Sequence, residues 1–222
     1  MEEYLSEKEQ IQQIKNWWRE NGAFVVAGLV LGVAGLAGWN YWQSYQISRA
    51  EAAGAIYQDL TTAVNSGDRA AAAAALTDLE ADYAATPYAD QGRLMLARLL
   101  VESGELDGAA GHLQAIVDST SDPELERVAR IRLARVWVAA GEDDRALEVL
   151  DLSRAGAFQA RFHEIRGDAL ASRGEMRAAS EEYELALQGA AEGVIDPQAV
   201  QLKMEALDVP ADEDGTERAG DA

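Results

Sequence analysis

The feature that most constrains this chain is a long stretch without charge near its beginning. No charged residue lies between Glu20 and Arg49, and residues 22–39 form an unbroken run of 18 apolar residues and glycines. As a helix, such a run extends over about 27 Å, which matches the thickness of the hydrocarbon layer of a bilayer. The sequence therefore predicts a single transmembrane helix over residues 22–42.

The flanks of the run support this interpretation and give it a direction. Basic residues precede the run at Lys8, Lys15 and Arg19, whereas the 20 residues after Trp42 contain only Arg49. The positive-inside rule then places residues 1–21 in the cytoplasm as a leader and the rest of the chain across the membrane. Aromatic rings that prefer the headgroup level flank the run on both sides: Trp17, Trp18, Trp39, Tyr41 and Trp42.

A cleaved signal peptide is the alternative, since Gly35 and Ala37 form a small-x-small pattern before Gly38. A second aromatic belt and an acidic leader argue against it. Within the span, Gly28, Gly32 and Gly35 lie on one helix face, where small residues allow another membrane helix to approach closely. These three glycines are candidate packing residues.

Charge and cysteine content exclude several functions. The chain has a formal net charge of −20 over 222 residues, so a nucleic-acid partner is not expected. It contains no cysteine, which rules out disulfides, thiolate catalysis and zinc–sulfur sites. We expect neither a cofactor nor a small-molecule substrate, and partners that are proteins.

A repeat follows the apolar run. Four glycines stand 37, 37 and 33 residues apart, each followed by an acidic residue and, five residues after the glycine, by an alanine: Gly67, Gly104, Gly141 and Gly174. Apolar residues recur at helical spacing on both sides of these glycines, so each unit is interpreted as two amphipathic helices joined by a turn. Small residues such as Ala97 and Ala109 would then face each other across a hairpin.

These patterns predict an all-α protein: a single N-terminal transmembrane helix followed by a solenoid of αα-hairpins. The repeat domain is predicted to occupy residues 43–207. Residues 208–222 are acidic and have no apolar periodicity, so they are predicted to be a disordered tail.

The repeat resembles the tetratricopeptide repeat family, which has units of about 34 residues with small residues around a glycine turn. The resemblance is good around Gly104, Gly141 and Gly174 and weak around Gly67, where Leu60 replaces the expected small residue. It implies that Trp137, at a position where the family places a large core residue, lies in the core. Together with the leader and the single span, the chain resembles the YfgM-type ancillary subunits of the bacterial SecYEG translocon. That family implies an inner-membrane location, a periplasmic repeat domain and association with the membrane-anchored chaperone PpiD.

The resemblance also implies a concave face lined by the first helix of each hairpin, which binds peptides or partner domains. The lysine-and-asparagine clamp with which some family members bind C-terminal carboxylates is absent, because Leu94 and Arg98 occupy its first positions. The inward positions, which we take as a candidate partner-binding groove, are Leu94, Arg98, Val101, Ile131, Arg135, Val138, Glu164 and Asp168, with Ala171 at the end.

Catalytic interpretations have little support. His112 and His163 are the only histidines, and neither stands at metal-ligand spacing from another candidate ligand. A basic cluster at Arg127, Arg130, Arg132 and Arg135 is interpreted as a solvated helix face or, alternatively, as a partner patch.

The predicted function is therefore a non-catalytic adaptor at the translocon, with repeats that hold a PpiD-like chaperone or emerging secretory proteins. The alternative is a regulatory scaffold that sequesters a signalling protein or assembles an envelope complex.

Overall fold

The computed structural model of this protein describes residues 7–190 and 193–207, and the predicted acidic tail, residues 208–222, lies outside the described residues. The chain divides into two compact units, Met1–Ala52 and Ala53–Ala222. The described residues form nine α-helices: α1 Glu7–Asn65, α2 Arg69–Tyr83, α3 Pro87–Glu102, α4 Leu106–Ser119, α5 Pro123–Ala140, α6 Asp143–Val149, α7 Gln159–Ser172, α8 Met176–Gln188 and α9 Pro197–Glu205.

The described residues of the first unit form the N-terminal part of α1. This helix is much longer than the predicted span, since it begins well before residue 22 and continues beyond residue 42. It is the one helix in the described residues that is long and apolar enough to cross a membrane. Every residue from 23 to 48 is exposed, including Phe24, Leu31 and Leu36. Apolar side chains that no other described residue covers are suited to a lipid environment.

The second unit contains the predicted hairpins. All four repeat glycines have left-handed backbone conformations, with φ between 72° and 80° at Gly67, Gly104, Gly141 and Gly174. A residue with a Cβ adopts this conformation only at a cost, which is why glycine recurs at these turns. The described residues therefore form the predicted all-α succession of helical hairpins.

Local sequence signals set the ends of the helices. Prolines occupy the first position of α3, α5 and α9, where the missing amide hydrogen costs nothing. Asp122 caps α5 by accepting hydrogen bonds from the backbone amides of Glu124 and Leu125 at 2.9 and 3.2 Å. Each such cap satisfies amides that have no partner inside the helix.

Small residues lie where the two helices of the α3–α4 hairpin and of the α5–α6 hairpin approach, as the sequence predicts. Ala97 and Ala109 are fully buried in one core cluster, and so are Ala134 and Ala146. Trp137 belongs to the same cluster and is 5% exposed, which confirms its assignment to the core.

Departures from the repeat pattern are compensated by neighbouring residues. The buried Leu60 replaces a small residue, and Gly92 of α3 makes room for it, because a Cβ at Gly92 would lie 3.0 Å from Leu60 Cδ1. A Cβ at Gly167 would likewise lie 2.5 Å from Tyr183 Cε1. The large ring of Tyr183 therefore requires the glycine opposite.

The third hairpin differs from the expected pair of full-length helices. Its second helix, α6, has seven residues and ends at Val149, after which Leu152–Arg154 and Gly156–Phe158 form 3₁₀ turns. The glycine spacing is 33 rather than 37 residues here, which removes about one helical turn. Leu150 still fills its core position because its side chain is fully buried just beyond the helix end.

Candidate functional site

The second unit contains an open, largely apolar cavity of about 390 Å³ between α3, the start of α4 and α5. Leucine, valine and alanine side chains form most of its surface, and charged residues stand among them. The lining residues are Leu94, Ala97, Arg98, Val101, Glu102, Leu106, Leu113, Arg132, Arg135, Val136 and Ala139. We call this cavity the α3–α5 groove.

Four of the residues expected from the sequence line this groove: Leu94, Arg98, Val101 and Arg135. Val101 and Arg98 are exposed, as a binding surface requires. On α3, all three expected residues therefore line the groove, and on α5 one of the three expected residues, Arg135, lines it.

The other two expected positions on α5 do not line the groove. Ile131 is 8% exposed and belongs to the core cluster that also contains Phe162 and Ile165 of α7, while Val138 packs partly buried against that cluster. The face of α5 that lines the groove consists instead of Arg132, Arg135, Val136 and Ala139. These residues follow the i, i+3, i+4, i+7 spacing of one helix face, so the sequence contains the signal, but α5 is rotated from the expected orientation.

The charges around the groove are unevenly paired. Arg98 Nε donates a 2.7 Å hydrogen bond to Glu102 Oε1 one turn along α3, and this bond raises the pKa of the Arg98 guanidinium. Arg132 and Arg135 are exposed and form no ion pair within the described residues. The groove thus presents three guanidinium groups and one carboxylate in a chain that is strongly acidic.

The remaining expected positions, Glu164 and Asp168 on α7, already bind another residue of the same chain. Lys203 Nζ of α9 donates to Glu164 Oε1 at 2.9 Å and to Asp168 Oδ2 at 2.8 Å. Glu164 is 4% exposed and also accepts a 2.5 Å hydrogen bond from Arg161. Tyr183 Oη donates to Asp168 Oδ1 at 2.9 Å. The acidic end of the expected face is therefore joined to α9 and is not open like the α3–α5 groove.

Burial and charge act in opposite directions on the groups of this network. Burial lowers the pKa of Lys203, but its hydrogen bonds with Asp168 and Glu164 outweigh burial and raise the pKa overall. Burial, with the nearby charge of Asp168 adding to it, raises the pKa of Tyr183. The ammonium form of Lys203 is thus stabilised next to two carboxylates. The sequence analysis did not predict a role for Lys203. The signal for it is that Lys203 is the one charged residue on the face of α9 that contains Val200 and Met204.

The two histidines lie in different surroundings. His163 is buried and its Nδ1 lies 2.6 Å from Glu182 Oε2, and Arg166 Nε donates to the other oxygen of Glu182 at 2.9 Å. His112 is half-buried, and burial lowers its pKa. Within residues 7–190 and 193–207 no cluster of three or more histidine and acidic side chains could hold a metal ion.

The basic cluster on α5 splits into two parts. Arg130 donates to the Val149 carbonyl at 3.0 Å and to Glu126 at 2.9 Å, and Arg127 donates to the Arg154 carbonyl at 3.0 Å. These two arginines hold the irregular segment after α6. Arg132 and Arg135 line the groove instead.

In the first unit, the candidate packing glycines have open space around them. A Cβ at Gly28, Gly32 or Gly35 would meet no atom within 4 Å, in the part of the chain that the structure describes. The glycine face is therefore available to a second helix.

These features define a class: a helical-repeat protein with one candidate membrane-spanning helix and an open groove on its repeats. The family described as "Tetratricopeptide repeat-like domain" matches residues 15–209. A protein of Escherichia coli (strain K12) named "Ancillary SecYEG translocon subunit" is 36% identical over 184 residues, which cover 83% of this chain and 88% of that protein.

Two further relatives carry the same name. The Haemophilus influenzae protein is 29% identical over 91% of this chain and 98% of its own length, and the Neisseria gonorrhoeae protein is 26% identical over 93% and 100%. The chain belongs to the family of ancillary SecYEG translocon subunits, which confirms the resemblance found in the sequence. No solved structure matches the chain.

Proposed function

We propose that this chain is a non-catalytic adaptor subunit of the Sec translocon in the bacterial inner membrane. The observation that carries the proposal is the family membership over most of the chain, since the relatives are named as ancillary subunits of SecYEG. An exposed apolar helix in the first unit and stacked hairpins in the second are the parts that a membrane-anchored adaptor needs.

In this proposal α1 crosses the membrane over residues 22–42 with residues 1–21 in the cytoplasm and the repeats in the periplasm. The basic residues before the span support the orientation. The α3–α5 groove holds a PpiD-like membrane-anchored chaperone or an emerging secretory protein. Its apolar lining supports protein binding, because clefts of about 300 Å³ or more with apolar walls and a few polar groups are typical binding sites.

Orientation is tested with single cysteines, which are unique in a chain that has none. Gln12→Cys and Ser153→Cys are each expressed in full-length protein, and cells with a permeabilised outer membrane are treated with a membrane-impermeant maleimide. We expect labelling at position 153 and none at position 12 before the inner membrane is lysed. The reverse pattern contradicts the orientation, and a mature N-terminus near Gly38 contradicts the anchor.

Partner identity is tested by photo-crosslinking in inner-membrane vesicles. A photoreactive amino acid replaces Val101 or Ala139, which are exposed residues of the groove, and Leu185 on the exposed face of α8 serves as the control position. We expect the groove positions to capture translocon subunits or the chaperone and Leu185 to capture less of them. Capture of signalling or envelope-assembly proteins without any translocon subunit would favour a regulatory scaffold.

A further inference from the structure

The α3–α5 groove and the site around Lys203 occupy equivalent places in the repeat. Leu94 and Arg98 lie ten and six residues before the turn glycine Gly104, and Glu164 and Asp168 lie ten and six residues before Gly174. In both cases the helix after the hairpin supplies the facing charge: α5 supplies Arg132 and Arg135, and α9 supplies Lys203. The two places can therefore be compared directly.

At the α7–α9 place, opposite charges join the two helices. Lys203 Nζ lies within 3 Å of both carboxylates, which sit at the positions equivalent to Leu94 and Arg98. The chain thus fills this place with its own cation, and Val200 of α9 is fully buried beside it. The apolar side chain of Val200 and the positive charge of Lys203 thus together fill the space beside α7.

At the α3–α5 place, no such bridge exists within the described residues. Arginines stand on both helices, at Arg98 on α3 and at Arg132 and Arg135 on α5. The one carboxylate of the groove, Glu102, pairs with Arg98 on its own helix. Both side chains are more than half exposed, so this ion pair contributes little to stability. An apolar cavity of about 390 Å³ remains open between these arginines.

We propose that the α3–α5 groove binds a segment of a partner protein in which a large apolar side chain fills the cavity and a neighbouring aspartate or glutamate pairs with Arg132 and Arg135. This inference rests on the proposed function, because it names the chemistry of the partner at the same groove. Guanidinium groups bind carboxylates through two parallel hydrogen bonds. The cavity walls, which include Leu94, Val101 and Leu106, accept the apolar group.

The net charge of the whole chain further restricts the kind of partner segment that can bind the groove. A net charge of −20 repels long acidic segments and polyanions, so only a short segment that places its carboxylate at the arginines is attracted. Apolar walls with only a few charged residues also do not suit a phosphate backbone, which requires an extended basic surface. A short acidic-apolar motif satisfies both features of the groove.

The experiment measures peptide binding to the full chain in nanodiscs of neutral lipid by fluorescence anisotropy. The probe is a blocked peptide of about 12 residues with Asp-Leu-Phe-Asp at its centre and glycine and serine elsewhere. One comparison peptide has Lys in place of each Asp, and a second has Ser in place of Leu and Phe. We expect the first peptide to bind and each comparison peptide to bind roughly tenfold more weakly or worse.

The groove variant is Arg132→Glu with Arg135→Glu, and the control for net charge is Arg173→Glu with Arg177→Glu. The control makes the same change in net charge on exposed residues outside the groove, and it also removes the ion pairs of Arg173 with Asp144 and Glu175. We expect the groove variant to lose the acidic peptide by at least about tenfold and to prefer the lysine peptide, and the control to bind as the wild type does. Melting curves establish that each variant is folded, and Arg135→Gln replaces the double variant if that fails to fold.

Equal binding of the aspartate and lysine peptides by the wild type, or unchanged binding by the groove variant, overturns the inference. Binding of none of the three peptides overturns it too. The proposed function is judged separately by photo-crosslinking, so capture of translocon subunits by a chain that binds no acidic-apolar peptide removes this inference alone.

Discussion

Lys203 Nζ of α9 lies 2.9 Å from Glu164 Oε1 of α7, a carboxylate that is 4% exposed. The same ammonium group contacts Asp168 at 2.8 Å. A buried carboxylate is tolerated only when hydrogen bonds and opposite charge replace its lost hydration. The contact therefore joins α9 to the α7–α8 hairpin and compensates the most buried charge of the expected groove face.

Lys203→Met is expected to destabilise the second unit. It removes two charge-assisted hydrogen bonds and leaves Glu164 with Arg161 alone, and we expect a loss of about 1 to 3 kcal/mol in the free energy of unfolding. The measurement is urea unfolding of the full chain in detergent, followed by far-UV circular dichroism. Lys15→Met, on the exposed helix of the first unit, is the control and should change stability by less than about 0.5 kcal/mol. Equal midpoints for both variants would show that the Lys203 bridge contributes nothing.

The local parts of this fold are readable from the sequence. The turn at Gly141 depends on one residue that tolerates a positive φ, and the start of α5 depends on the Asp122-Pro123 pair. Both signals act over a few residues, so a single sequence contains them. The apolar run after Asn21 is equally local, and its length alone predicts a membrane helix.

Features of the fold that depend on residues far apart in the sequence could not be predicted from local sequence signals. Ile131 lies outside the groove, in a core cluster that also contains Phe162 of α7, about 30 residues later in the chain. Lys203 reaches Glu164 across 39 residues. The α3 side of the groove could be predicted because the family geometry places Leu94 and Arg98 there, whereas the closure of its acidic end could not.

The glycine turns can be tested with a pair of substitutions of opposite expected sign. Gly141→Ala places a Cβ at φ 77° and should cost about 1 to 2 kcal/mol. Gly111→Ala lies inside α4, where a new Cβ meets no atom within 4 Å, so it should stabilise the protein by up to about 1 kcal/mol. Thermal unfolding of both variants beside the wild type gives the comparison, and a shift of the same sign in both would contradict the hairpin geometry.

His112 should make stability depend on pH. Burial lowers its pKa below 6.5 in the folded chain; the charge of Glu80 opposes this and the charge of Arg93 adds to it. The unfolded chain then binds the proton more readily than the folded chain. The contribution of neutral His112 to the free energy of unfolding is therefore fully present above pH 6.5, and it is lost as the pH falls through the lower, folded-state pKa. Replacing His112 with Gln should therefore reduce the fall in unfolding free energy between about pH 8 and pH 5. Wild-type and variant curves should run parallel above about pH 7.5, and parallel curves over the whole range would show that His112 does not titrate differently on folding.

The glycine face of α1 provides a test of how the anchor meets the translocon. Gly32→Leu places a large side chain where a Cβ meets nothing within 4 Å, so the fold of this chain should not change. If the face formed by Gly28, Gly32 and Gly35 packs on a helix of a partner, the leucine prevents close approach of the two backbones. We expect capture of translocon subunits from detergent extracts to fall several-fold. Ala34→Leu, an exposed substitution on another face of the same helix, is the matched control and should retain capture. Equal capture by both variants would place the contact with the translocon elsewhere on the chain, most directly at the α3–α5 groove.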